Sequence, residues 1–120
     1  MAKKDELGRA GEDRAASYLR AHGYEILDRN WRCAIGEVDL VARRDGRLVV
    51  VEVKTRRTEL FGHPLEAVSE AKRRRLWRLL HAWTRAHPAS STGCVPQVDV
   101  IGVVGEDPRH GTLEHLEDLR

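Results

Sequence analysis

Cysteine is scarce in this sequence: Cys33 and Cys94 are the only two in 120 residues, far apart and without ligand-like spacing around either. That leaves no framework for a cysteine-ligated metal, and both thiols are expected to be reduced. Long hydrophobic runs are also missing, with nothing near the roughly 20 apolar residues that cross a bilayer. The opening stretch, MAKKDELGRAGEDRAA, holds no apolar core of a signal peptide, so the expected location is cytoplasmic. There are no internal repeats and no low-complexity segments. Lysine is scarce as well, with 4 Lys beside 17 Arg. Arginine makes forked hydrogen bonds to phosphate oxygens, so the ratio leans toward a polyanionic partner. A GC-rich coding bias gives the same ratio.

What is present fits one globular domain over residues 1–120. Hydrophobic residues make up 41% and charged residues 33%, which separates the chain from disordered sequences. Residues 5–22 read as a helix stopped at Gly23. On its wheel Gly8, Ala15, Ala16 and Leu19 share an arc, and Glu12 lies at the centre of that arc. An acid there either escapes to solvent at the helix start or is aimed past the core edge into a site. Tyr24–Trp31 reads as a strand, then Gly36–Arg43 and Leu48–Lys54 as a hairpin around Asp45-Gly46, a dipeptide suited to a type I′ turn. Pro64 opens a helix running to about His87. PASSTG is a loop and Val95–Val104 a strand. The polar tail is weakly patterned, with a short strand and a helical turn at HLEDLR. Helix, three strands, helix and strand imply an α/β or α+β sandwich with a mixed sheet.

The hairpin permits a sharper inference. A two-residue turn pairs Arg44 with Arg47, and hence Val41 with Val50, Asp39 with Glu52, and Glu37 with Lys54. These fall on one face, with Val38, Leu40, Val49, Val51 and Val53 on the other. Directly opposed carboxylates repel. A hard divalent cation such as Mg²⁺ or Mn²⁺ turns that liability into a binding site. Lys54, one step along the same face, suits a water nucleophile or a phosphate in its transition state, the equipment of metal-assisted phosphodiester hydrolysis. The ordinary alternative is a solvated sheet face with cross-strand ion pairs. Against it, Val41, Leu48 and Val50 share the face.

At these residues the sequence resembles a known group. GEVD at 36–39, followed by VVVEVKTR at 49–56, is similar to the signature of the PD-(D/E)XK nuclease superfamily, with Asp39 as first acid and Glu52-Val53-Lys54 as the ExK element. More closely, the chain resembles the YraN-type predicted endonucleases, a Holliday-junction-resolvase-like branch of that superfamily. The likeness extends over GRAGEDRAASYLRAHGYEILDRNWR (8–32), FGHPLEAVSEAKRRRL (61–76) and VDVIGV (98–103), most of the chain. ExK alone is weak; acid, hairpin, ExK, an upstream helical Glu and this flanking text together are specific. Val38 stands where the superfamily's named proline would be, a non-catalytic position. The resemblance implies an α/β, restriction-endonuclease-like fold with a mixed central β-sheet flanked by helices. It also implies a divalent metal, Mg²⁺ or Mn²⁺, held by Asp39 and Glu52. Lys54 would orient or activate the attacking water, and Glu12 would complete the acidic site directly or through a metal-bound water.

In the second helix Leu65, Val68, Leu76, Leu79 and Trp83 form an apolar stripe interrupted by Lys72. Lys72 either snorkels to water or reaches the acidic cluster or a bound phosphate. Glu37 is expected behind the ligands or against the substrate. Arg73, Arg74, Arg75 and Arg78, with Arg56 and Arg57 after the ExK strand, offer a cationic flank for nucleic-acid backbone. Trp77 and Trp83 read as packing residues, Asp99 as buried and hydrogen-bonded or else catalytic, and His63 as a loop or capping residue. The expected activity is metal-dependent endonucleolytic hydrolysis of DNA, with branched or repair-intermediate DNA as the narrower substrate. A resolvase-like enzyme would work as a homodimer, because a four-way junction needs two symmetric cuts. The alternatives are a non-catalytic nucleic-acid-binding adaptor with a nuclease-like fold, and a protein–protein scaffold.

Overall fold

The computed structural model describes residues 3–60 and 62–120, without the side chains of residues 3–5, 66 and 67. Helix α1 (Lys3–Ala21) is stopped just before Gly23, which takes the left-handed φ of 86° that glycine tolerates without a Cβ clash. Strands β1 (Glu25–Cys33), β2 (Gly36–Arg44) and β3 (Arg47–Arg56) follow as an antiparallel meander. A 3-10 turn at Pro64–Ala67, helix α2 (Glu70–Ala86) and a single turn α3 (Pro88–Ser91) lead to β4 (Val95–Val104), which runs parallel to β3. Strand β5 (Thr112–Leu116) pairs antiparallel with β4 and ends the order β1-β2-β3-β4-β5. The sheet is therefore mixed and flanked by helices, the expected α/β, restriction-endonuclease-like architecture.

The valine run of β3 follows from its place in the middle of the sheet, covered on both faces. On one face Ala15, Ala16 and Leu19 of α1 pack on Leu40, Ala42, Val49, Val51, Ile101 and Val103. On the other, Leu76, Leu79, Leu80 and Trp83 of α2 pack on Val41, Leu48, Val50 and Val98. Helix α1 lies so close to β3 that a Cβ added at buried Gly11 would collide with the Thr55 side chain. Trp83 is buried and its indole N–H donates to Asp28; half-buried Trp77 donates to the Leu119 carbonyl, so both tryptophans are packing residues.

The turn and its register are as the Asp-Gly pair demands. Asp45 and Gly46 have φ of 50° and 75°, both positive as type I′ requires, and Arg44 pairs with Arg47. The ladder runs only to Leu40 opposite Val51, short of the expected Asp39–Glu52 and Glu37–Lys54 pairs. Val38 also differs: it packs in the α2-side core instead of facing α1 with Leu40. The expected helix from Pro64 to His87 is broken, because the Ser69 side chain accepts the Lys72 N–H at 3.1 Å and caps a new helix start. PASSTG is partly the short helix α3. The tail forms no helical turn; its Leu119 N–H donates to the Val98 carbonyl instead. Among the described residues no helix is long and apolar enough to cross a membrane.

Candidate functional site

Where the β2–β3 ladder stops, a side chain takes over the work of the backbone. Beyond Leu40 the Val53 N–H donates to Asp39 Oδ2 at 2.8 Å. The partner strand β1 is irregular at the same level: Asn30 adopts φ of 53°, between the pairs Arg29–Leu40 and Trp31–Val38. This break explains why Val38 leaves the simple alternation, and it draws the Asp39 carboxyl in toward β3. There it comes close enough to the Glu52 carboxyl for the Glu52 charge to act on its ionisation. Glu52 is nearly buried, its side chain 11% exposed. Together with Gly36, Glu37, Lys72, Arg75, Leu76 and Leu79, the two acids line an open cavity of about 270 Å³ between the sheet and α2.

Two carboxyls this close cannot both ionise cheaply in a desolvated site. Burial first, and the neighbouring Glu52 charge second, push the Asp39 carboxyl up to about 8, against the pull of the Val53 N–H. Two lysine amines converge on the other acid. Lys54 Nζ lies 3.0 Å from Glu52 Oε2, and Lys72 Nζ lies 3.6 Å from the same oxygen. Burial opposes the Lys54 charge, but its hydrogen bond with Lys72 and the Glu52 carboxylate outweigh it and hold Lys54 above the ordinary lysine value. Lys72 is pushed the other way, first by its hydrogen bond with Lys54, then by burial and the Lys54 charge.

Lys72 does more than snorkel: it reaches from α2 onto Glu52. Glu12, half-buried on α1, keeps a side-chain hydrogen bond with Asn30. Its carboxyl is raised mainly by burial, with Glu37 and Asp13 adding to the rise and Asn30 and Arg29 opposing it. It is near enough to act on Asp39 through charge. Yet Glu12, Asp39 and Glu52 do not bring one ligand atom each within 4.8 Å of one another. Glu37 pairs with Arg32 at 3.2 Å, not with Lys54, while lining the cavity. Arg75 lines the same cavity; Arg74 is exposed and pairs with Glu70 at 3.6 Å. Arg57 and Arg78 are exposed, and Arg56 and Arg73 half-buried. His63 receives the Leu65 N–H at the start of the 3-10 turn and holds Glu114 at 2.8 Å, so it organises the loop.

The donor set of Asp39 and Glu52 is hard oxygen on two adjacent, desolvated carboxyls whose mutual repulsion a divalent cation would relieve. It fits Mg²⁺ or Mn²⁺. Among the described residues a second group, unforeseen from the sequence, brings three potential ligand atoms within 4.8 Å: Asp99, His115 and Glu117. Asp99 is fully buried, as one of its two readings required. The available signals were an acid inside an apolar strand and the alternation His115-x-Glu117, but the latter sits in the weakly patterned tail.

Comparison with known proteins places the chain in a group of close relatives. The sequence profile of the uncharacterised protein family UPF0102 matches residues 11–103. A UPF0102 protein of Arthrobacter sp. (strain FB24) is 47% identical over 119 residues, covering 99% of each chain. One from Leifsonia xyli subsp. xyli is 48% identical over 122 residues, again covering 99% of both. A relative from Caldicellulosiruptor saccharolyticus is 44% identical over 100 residues, 83% of each chain.

Proposed function

The chain belongs to uncharacterised protein family UPF0102, and from its site we propose that it is a Mg²⁺- or Mn²⁺-dependent endonuclease that hydrolyses phosphodiester bonds in DNA. The reading is carried by one observation: the largely buried Asp39 and Glu52 meet at an open cavity, with Lys54 and Lys72 both directed onto Glu52. An ordinary cross-strand ion pair needs one acid and one base in water; two acids and two lysines around a cavity are a costly arrangement without a charged ligand to justify it.

Asp39 and Glu52 would hold the metal, with Glu12 reaching it through a water. A bound divalent ion supplies Lewis-acid polarisation of the phosphate and a lowered pKa for the attacking water. The chain's own groups do the rest. Lys54, held charged beside Glu52, orients the water and offsets negative charge growing on the phosphate. Lys72 approaches the same point from α2. Arg75 at the cavity wall takes an adjacent phosphate, and Arg56, Arg57, Arg73, Arg74 and Arg78 follow the backbone beyond it. Glu37 restrains Arg32 at the cavity edge. On a four-way junction two such sites are needed, which calls for a homodimer; branched or repair-intermediate DNA is the narrower substrate class.

The test is a panel of linear, single-stranded, flap and four-way DNAs incubated with Mg²⁺ or Mn²⁺. Metal-dependent strand scission is the expected outcome, strongest on a branched substrate. Salt-sensitive binding without scission, indifferent to Asp39→Asn, would instead establish a nucleic-acid-binding adaptor.

A further inference from the structure

We propose that Asp99, His115 and Glu117 form a second, independent metal site, selective for Zn²⁺, that fastens the edge strand β5 to β4. Its place in the fold separates it from the acidic cavity. In the parallel β3–β4 ladder Val51 lies opposite Asp99, and Val51 belongs to the α1-side core. Asp99 therefore faces α1, whereas Glu52 and Lys54 face α2. On β5, His115 lies opposite Ile101, another α1-side residue. Continuing that register one pair beyond the end of β5 sets Glu117 opposite Asp99, with His115 on the diagonal.

Each donor suits the ion. A tetrahedral Zn²⁺ with ordinary bond lengths needs donor atoms about 3.3 Å apart. The three ligand atoms already lie within 4.8 Å of one another, and His115 Nε2 is 2.7 Å from Asp99 Oδ2. Closing the set takes small rotations of the exposed Glu117 and a parting of the Asp99–His115 hydrogen bond around the ion. An imidazole with two carboxylates prefers Zn²⁺ to Mg²⁺, which demands an octahedral, oxygen-rich shell. The two acids also match the charge of a divalent cation.

The supporting contacts are those of a metal site that holds its ligands from behind. Tyr18 Oη lies 3.0 Å from His115 Nδ1, leaving Nε2 as the coordinating nitrogen. The Gln97 amide and the Asp118 backbone N–H both donate to Asp99 Oδ1 at 2.9 Å, which frees Oδ2 for the ion. Gln97 is itself fixed by Arg47 at 2.9 Å. Glu117 also lines an open cavity of about 380 Å³ with Gln97 and Asp118, the two residues that donate to Asp99 Oδ1.

The experiment is calorimetric titration of the chelator-stripped full chain with Zn²⁺ in excess Mg²⁺, alongside thermal melts. The proposal expects one Zn²⁺ per chain and a raised Tm. Glu117→Gln, on an exposed residue that leaves the core untouched, should weaken binding a hundredfold or more. Tyr18→Phe should weaken it by about tenfold, and His115→Gln should abolish it. Glu52→Gln should leave Zn²⁺ binding unchanged, so the second site can stand or fall apart from the nuclease reading. No Zn²⁺ binding, binding indifferent to Glu117→Gln, or binding lost with Glu52→Gln would each overturn the proposal.

Discussion

Burial and charge act strongly on Asp39, and the direction of that action is measurable. In the unfolded chain its carboxyl ionises near the ordinary aspartate value of 3.8; in the fold it is pushed up to about 8. Between these two values the folded protein holds a proton that the unfolded chain has released. Stability is therefore fully present below about 4 and falls as pH rises toward 8. Asp39→Asn keeps an acceptor for the Val53 N–H and a donor toward Glu52, so it should fold well and flatten this slope. Denaturation of both proteins between pH 4 and 8.5, without divalent metal, checks the difference; a wild-type slope no steeper than the variant's would refute the coupling. At the same scale, Lys54→Met should lower metal-dependent cleavage by about 100-fold or more if the ammonium offsets charge in the transition state. Single-turnover rates at saturating metal measure that effect apart from substrate binding.

Elements carry these residues to their positions. The close approach of α1 to β3 depends on Gly11 lying against Thr55. Gly11→Ala should cost about 1–3 kcal/mol through overpacking, displace Glu12, and lower cleavage without altering an acidic residue. Thr55→Ala on the same background should recover a large part of the loss, because the clash is with that side chain. Urea denaturation of the two single variants and the double variant tests the coupling. How far such relations could be read in advance differed by element. The hairpin register was legible because Asp45-Gly46 tolerates two positive φ angles and thus dictates a two-residue turn. The ladder's break was not, because it arises when a side-chain oxygen of Asp39 replaces a strand partner for Val53, and periodicity carries no sign of that exchange. The division before α2 did have a local signal, Ser69 followed by Glu70 in a first turn, which the apolar stripe from Leu65 to Trp83, broken at Lys72, outweighed. Asp99 and His115 meet only through the pairing of β4 with β5, a contact no local spacing announces.

For the whole molecule the relevant quantity is the distribution of charge, since a net +2 is small. Of the basic residues of α2, Lys72 and Arg75 line the acidic cavity. DNA held along this flank should dissociate steeply with salt, and each phosphate contact removed should reduce the slope of log K against log [salt] by about 0.9. Arg75→Gln and Arg78→Gln, measured by anisotropy over a salt series, should each show a change of that size, while Arg120→Gln in the tail should show none. The central claim, that Asp39 and Glu52 hold the metal of a DNA-hydrolysing site, is tested most directly by one comparison. Wild type and Glu52→Gln, purified in parallel, are assayed for cleavage of the same branched DNA across a Mn²⁺ titration. The account predicts scission that rises with Mn²⁺ in the wild type and falls at least 100-fold in the variant; equal scission by the two proteins would contradict it.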